Sequence, residues 1–331
     1  MIWSSGYTAA FYATFIDPRT WLDTDRFEIT GGSVSRGEDS LKQNATLTCT
    51  DYDEQEERWV RIYMDAEQSG DVSHTPLFTG MATSPSRKID GAVTERTLDC
   101  YSVLKPCDDI LLQRGWYVPS GKNAAQAIQD LLKVTPAPVE VEGDSPYISE
   151  ALIAEDDETN LTMIDKILKA INWMLQIEGD GTIVLMPIPE EPAIELSPHA
   201  FDIIEPSLSI ERDWFNCPNV FRATMNEMSA VARDDDPDSP LSTVTRGREI
   251  WAQDEADLSD SETLAEYAAR MLKEAQTVAQ TAEYTRRFLP EINVGDIVRL
   301  NYPQINGDYR IASQDIDLTF NGQTSEEVRL G

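Results

Sequence analysis

Six short constellations in this 331-residue chain carry residue types that could do chemistry. In "GWYVPSGKN", Gly115, Gly121, Lys122 and Asn123 resemble a phosphate-cradling loop. The spacing has one residue too many, and Asn123 stands where a hydroxyl should bind Mg²⁺, so the segment reads as a helix entry. Asp234, Asp236 and Asp238 alternate as the first ligands of a calcium loop do. Ser239 then occupies the glycine position and Thr245 the bidentate glutamate position, which leaves a solvated acidic loop, with weak divalent binding as the alternative. Glu155 to Glu158 ("EDDE") precede a helix, where negative charge favours the helix dipole. Paired carboxylates could also cleave glycans, but only when they face each other across a cleft. His74 and His199 are the only histidines, and neither sits in a zinc or nucleophile-elbow motif. Cys49, Cys100, Cys107 and Cys217 form no CxxC and read as buried free thiols. Trp173, Trp214 and Trp251 read as core or interface anchors before sugar platforms. The resulting expectation is no catalytic residue, no cofactor-binding residue, no metal ligand and no cofactor.

The elements that would have to position these groups follow from periodicity. Residues 8–104 read as strands. In "RWVRIYM", Trp59, Arg61 and Tyr63 share one face and Val60, Ile62 and Met64 the other. Gly31-Gly32 signals a hairpin. The spacing of these short strands suggests a barrel or small sandwich. The period then becomes helical. Ala124, Ala127, Ile128, Leu131 and Leu132 form one stripe, with Asn123 as N-cap and Gln126 three residues on. Leu161, Ile164, Ile167, Leu168 and Ile171 form a second, with Asn160 as N-cap. Two strands around Gly179-Asp180-Gly181 follow, and a Pro-rich stretch, 187–198, leads out.

Strands return in "SLSIERDW" and "NVFRATMN". A third helix, 259–280, buries Leu264, Tyr267, Ala268, Met271 and Leu272 behind a Ser259–Glu262 capping box. Asn306-Gly307 and Asn321-Gly322 suit type I′ turns, and Ile316, Leu318 and Phe320 alternate with Asp315, Asp317 and Thr319.

The fold class expected is α+β, mainly β: two β-barrel domains with an α+β domain between them. The divisions are 1–104, 105–198 and 199–331, the last with the inserted helix.

Net charge bounds the partners. With 59 acidic and 27 basic residues the chain carries −32. Nucleic-acid binders neutralise phosphates with Lys and Arg, so nucleic-acid binding is not expected. Neither a signal peptide nor a membrane span is legible, so no membrane insertion is expected.

A resemblance rests on the order of several weak motifs. They are "ITGGSVSRG" with "NATLTC", "PLFTGMATSP" leading to "TLDCYSVLKPCDD", and "GKNAAQAIQDLL". "NLTMIDKILKAINWMLQIEGDGTIVLMP", "NVGDIVRLNYP" and "GDYRIASQDIDLTF" complete the set. Together they resemble the baseplate hub proteins of tailed phages and of phage-tail-like injection machines, and the N-terminal part of tail-associated proteins. That resemblance implies two similar β-barrels per chain and a homotrimeric ring of six barrels. Such a ring would adapt the six-fold tail tube to a three-fold spike or tip. It implies a structural protein of the virion tail, not an enzyme, assembled in the bacterial host cytoplasm. Its implied partners are the tail tube or distal tail protein, the spike or tail-tip protein, and the tape-measure protein. It also implies either a stand-alone hub or a hub cut at the boundary before the C-terminal enzyme or spike that some relatives carry. An acidic lumen would let DNA pass without adhering. The alternative function is a tail-tip hydrolase acting on peptidoglycan or protein. A third is a sugar- or receptor-binding tip module, for which the 233–245 loop is the one long candidate.

Overall fold

The computed structural model describes residues 3, 6–38, 41–50, 52, 57–90, 93–198, 207–225, 227–256, 262–319 and 322–330. The chain is mostly β, with an α+β part between two sets of strands.

The first set is β1 (Thr8–Asp17), β2 (Leu22–Gly37), β3 (Gln43–Cys49), β4 (Arg58–Gln68), β5 (Asp71–Asp90) and β6 (Val93–Ser102). They pair in the order β1-β4-β5-β6-β3-β2, and β1 also pairs with β2, which closes a ring. The alternation read in β4 holds, because Val60, Ile62, Met64 and Ala66 are fully buried inside it. Gly31-Gly32 does not turn the chain. It lies within β2 at a shift of register between Ile29 and Gly31. Gly32 has φ +138°, and a Cβ there would stand 2.1 Å from the Thr46 carbonyl oxygen. The glycines therefore serve a bulge and a close backbone approach, not a hairpin.

The middle part contains α1 (Lys105–Asp108), β7 (Tyr117–Val118), α2 (Ala124–Leu132), β8 (Val139–Val141), β9 (Leu152–Ile153), α3 (Asn160–Ile171), β10 (Trp173–Ile177) and β11 (Ile183–Pro187). Asn123 caps α2 as expected, its Oδ1 accepting from Gln126 N at 3.1 Å. The cap of α3 is one residue earlier than expected. Thr159 and Thr162 form the capping box, and Asn160 turns inward to donate to Leu131 O at 3.1 Å. The reason is competition: a buried amide needs a partner, and the threonine pair already satisfies the helix end. The expected hairpin around Gly179-Asp180-Gly181 joins β10 to β11, and β8 adds in parallel.

The second set is β12 (Pro192–Leu196) and β13 (Ser209–Glu211), then, past an insert, β17 (Thr281–Arg287), β18 (Ile297–Tyr302), β19 (Ile305–Asp317) and β20 (Gln323–Leu330). Strand β12 lies inside the Pro-rich stretch that reads as an exit, and it pairs in parallel with β18. The turn between β18 and β19 is at Pro303-Gln304, since Tyr302 pairs with Ile305. Asn306 and Gly307 instead sit in the ladder, opposite Asn301 and Leu300. Gly322 has φ +50° and donates its N–H to Thr319 O at 2.9 Å, closing the turn into β20. Asn321, Phe320 and Ser259 lie outside the described residues.

The insert is larger than the one helix read from the sequence. It comprises β14 (Val220–Met225), β15 (Met228–Arg233), α4 (Thr243–Arg246), β16 (Trp251–Glu255) and α5 (Leu264–Gln276). Strands β15-β14-β16 form a separate sheet, and α5 packs on it through Tyr267, Ala268 and Leu272 against Phe221 and Ala223. The cap of α5 is Thr263 with Glu266. Glu262 is held instead by Arg270 at 2.8 Å. Sequence periodicity finds the helix but not its companion strands, which alternate too briefly to stand out.

The two sets share one order. In each, the strands lie first-fourth-fifth-sixth-third-second. They join edge to edge where Ser33–Gly37 of β2 pairs with Ser313–Asp317 of β19, giving a continuous 12-stranded sheet.

Candidate functional site

The structure scatters the motifs that looked chemical. At the loop before α2, Ala124 N donates to Pro146 O at 3.0 Å, Ala125 N to Ser145 Oγ at 2.8 Å and Gln126 N to Asn123. Those amides are spent on the protein's own acceptors. Asp234 accepts from Asp236 N, Ser239 Oγ and Gln276 Nε2, and Asp236 accepts from Asp238 N. These carboxylates fold their own loop by Asx-type turns. Glu158 accepts from Glu155 N at 2.9 Å and pairs with Lys166 at 2.5 Å. Burial raises its carboxyl, and those two contacts reverse the shift, so the net direction is downward. His74 is exposed and meets Asp65 at 2.7 Å, while His199 lies outside the described residues. All four cysteines are buried free thiols. Burial pushes Cys107 up to about 12, so it stays protonated and inert. Among the described residues no group of three or more His, Cys, Asp or Glu could hold a metal, and no helix is long and apolar enough to cross a membrane.

What the fold builds with care is its junctions. The β10–β11 hairpin tip packs against the outer face of β4 and β5 of the first ring. The Asp180 carbonyl accepts from Arg61 Nη2 at 2.8 Å and Trp21 Nε1 at 3.1 Å, and the Gly179 carbonyl from Thr79 Oγ1 at 2.9 Å. A Cβ on Gly179 would stand 2.0 Å from Pro76 O, so this approach requires glycine.

A second junction runs through the sheet. Arg286 and Glu326, both fully buried, form a two-point ion pair, with Nε–Oε2 at 2.8 Å. Gln314 Nε2 donates to Glu326 Oε1 at 2.6 Å, and Arg36 Nη1 reaches Gln314 Oε1 at 3.4 Å. Arg36 Nη2 ends the chain at Leu77 O, 2.6 Å away, inside the first ring. Burial lowers the Arg36 guanidinium to about 10, with Glu178 and Glu326 opposing that shift. Buried charge persists only when it is paired and hydrogen-bonded, so this relay holds the two strand sets in one arrangement.

A cavity of about 520 Å³ opens where all parts of the chain meet. Arg36 and Gln43 come to it from the first set, Leu168 and Trp173 from the middle part, Arg270 from the insert and Arg310 from the second set. Gln176 pins the wall by donating to Val294 O and Asp296 Oδ1, each at 3.0 Å. Trp173 is core, as expected, whereas the other two tryptophans are on the surface of the insert. Trp214 is 48% exposed, Trp251 51% and neighbouring Phe215 72%. Arg233 lies over the Trp251 ring at 5.7 Å and Arg248 over Phe215 at 5.1 Å. Arg36, Gln43, Arg286 and Arg310 do not stand out in the sequence, where they alternate with ordinary strand residues.

No protein-family model matches the chain, and no curated protein matches it in sequence. Solved structures do match it in fold. The tail protein from Neisseria meningitidis MC58 superposes with TM-score 0.73 at 14% identity, over 98% of this chain and 97% of that one. The prophage MuSo2 43 kDa tail protein from Shewanella oneidensis gives 0.69 at 13% identity, over 98% and 96%. A prophage tail protein from Listeria monocytogenes EGD-e gives 0.59 at 13% identity, over 97% and 94%. The resemblance carried by the sequence motifs therefore holds at the level of the fold, and this chain has the fold of phage tail proteins.

Proposed function

We propose that this chain is a structural hub of a phage tail baseplate or tail tip, in which three copies form a ring that adapts a six-fold tube to a three-fold spike. The observation that carries the proposal is the repeated strand order, first-fourth-fifth-sixth-third-second, joined edge to edge through β2 and β19. Two like sets per chain turn a trimer into six near-equivalent positions. The two sets act as barrel domains, with boundaries near residues 104 and 191, because β12 belongs to the second sheet. The chain is not an enzyme in this reading. Its partners are a tail-tube or distal tail protein on one side, a spike or tail-tip protein on the other, and the tape-measure protein. It resides in the virion tail after assembly in the host cytoplasm. The scattered motifs and the fold of the three tail proteins support this reading.

Sedimentation velocity with negative-stain class averages tests it. A three-fold ring with six similar lobes is the expected result, and a chain that remains monomeric at high concentration and salt rejects it. Salt matters because −32 per chain makes subunits repel, and the screening length falls from about 30 Å at 0.01 M to about 8 Å at 0.15 M. Association is therefore expected to strengthen as salt rises.

A further inference from the structure

The insert has a sheet edge that the fold leaves open. In the order β15-β14-β16, β15 pairs with β14 on one side, and among the described residues no strand pairs with it on the other. Two bonds show which backbone groups face the open side. Asp234 N donates to Asn219 O at 2.9 Å, and Ala256 N donates to Thr224 O at 2.7 Å on the β16 side. Hydrogen-bonded and non-hydrogen-bonded pairs alternate along an antiparallel ladder. The N–H and C=O of Ser229, Val231 and Arg233 therefore point away from β14, and all three residues are exposed. Natural edges are usually blunted by charge, proline or shortness. Strand β12 begins at Pro192, β13 has three residues and ends in Glu211, and β16 ends in Asp254-Glu255. Strand β15 reads "MSAVAR": six residues in unbroken register, with no proline, no carboxylate and one charge at its end.

We infer that β15 accepts an extended strand of a partner protein, added antiparallel, with carboxylate side chains on one face and apolar side chains on the other. The face away from α5 carries Val231 and Arg233 on β15, Arg222 beside them on β14, and Trp251 on β16. Arg233 is held by Glu249 at 2.6 Å. Arg222 is exposed and, among the described residues, forms no ion pair; its Nη2 donates to the neutral Gln253 Oε1. In a chain with 59 acidic and 27 basic residues, an arginine without a carboxylate is out of keeping with its surroundings. A charged acceptor makes a stronger bond than an amide, so a partner carboxylate displaces Gln253 from Arg222. The α5 face asks for different side chains. Ala230 and Ala232 are small and half-buried there, in one cluster with the partly buried Leu264 and Met271 of α5. An added strand lies about 4.8 Å beyond β15, where larger apolar side chains cover that cluster. Edge addition of this kind draws affinity from main-chain bonds and selectivity from alternate side chains. The inference does not depend on the hub reading, since a monomer would carry the same edge.

Fluorescence anisotropy with the full chain tests it. The probes are fluorescein-labelled Val-Glu-Val-Glu-Val-Glu-Val-amide, its counterpart with lysine in place of glutamate, and its counterpart N-methylated at every glutamate. The acidic peptide is expected to bind, and each counterpart to bind at least about tenfold more weakly. Val231→Pro removes an outward N–H that the β14 ladder does not use, so it is expected to keep the fold and to weaken the acidic peptide at least about tenfold. Arg222→Gln is expected to erase most of the preference for glutamate over lysine. No binding of the acidic peptide up to about 1 mM, equal binding of the N-methylated peptide, or equal binding of the lysine peptide overturns the inference. Self-association of the chain that Val231→Pro abolishes, with no peptide bound, assigns the edge to a second copy and also overturns it. The peptides are compared on the unaltered protein, so they decide even if a variant does not fold.

Discussion

The two strand sets have the same order and different closures. In the first, β1 runs antiparallel to β4 and also pairs with the first half of β2, which closes the ring and leaves Ser33–Gly37 of β2 to pair with β19. In the second, β12 runs parallel to β18, and among the described residues β12 and β13 do not pair. The links differ in the same places. Second and third strands are joined across residues 38–42 in the first set and across the whole insert in the second. Their interiors differ as well. The first ring is filled by Leu47, Val60, Ile62, Leu77 and Phe78, whereas the second adds the buried Arg286–Glu326 pair, beside Tyr284 and Gln314, to an apolar cluster that includes Val298, Leu300, Ile311 and Val328. In the closed first ring pairing satisfies the strands and the interior is mainly apolar, while Arg61, Thr79 and Arg36 bond to the hairpin tip, Leu77 O and Gln314. An open set that must also meet its neighbour needs directional bonds, and the relay to Arg36 supplies them.

The sharpest test of that contrast is Glu326→Ala. It leaves Arg286 buried without its carboxylate, at an expected cost of about 3–5 kcal/mol in urea unfolding. A loss under about 1 kcal/mol would show that the relay holds nothing. Replacing the pair together, Arg286→Met with Glu326→Leu, should recover most of the loss. Ile62→Ala is next, at about 2–5 kcal/mol, from the apolar filling of the closed ring. If the two sets unfold as one cooperative unit, both variants shift a single transition; two resolved transitions would separate them. Thr263→Ala removes the α5 cap and should cost about 1 kcal/mol. Hydrogen exchange should accelerate in α5 and β14–β16 and remain unchanged in the first ring, and acceleration there would mean that the insert is no separate unit.

The smallest effect is expected at Asp165, half-buried near Lys42 on the short link of the first set. Burial raises its carboxyl, with Lys42 opposing. A raised carboxyl favours the protonated folded form, so its contribution is fully present below the usual carboxylate pKa and lost as pH rises through the raised one. Asp165→Asn should therefore stabilise the protein at neutral pH by a margin that vanishes below about pH 4. A gain that persists unchanged at pH 3 would assign it to packing.

The period-2 alternation of Val60, Ile62 and Met64, the helical stripes of α2, α3 and α5, and the hairpin around Gly179-Asp180-Gly181 were all legible in the amino-acid order. Each depends on neighbours a few positions away, and side-chain periodicity reports which face is buried. Only the tertiary structure decided that Asn306-Gly307 lies in a ladder, that Gly31-Gly32 forms a bulge, and that the Pro-rich stretch supplies β12. It alone brought Arg36 beside Gln43 and set Glu326, opposite Tyr284 in the ladder, within ion-pair reach of Arg286. A turn signal is a permission that strand register can override, and pairing between distant segments is set by the best closure of the whole sheet. A polar residue in a strand looks the same in sequence whether water or a distant partner satisfies it. Burial of such a residue is therefore decided by residues tens to hundreds of positions away.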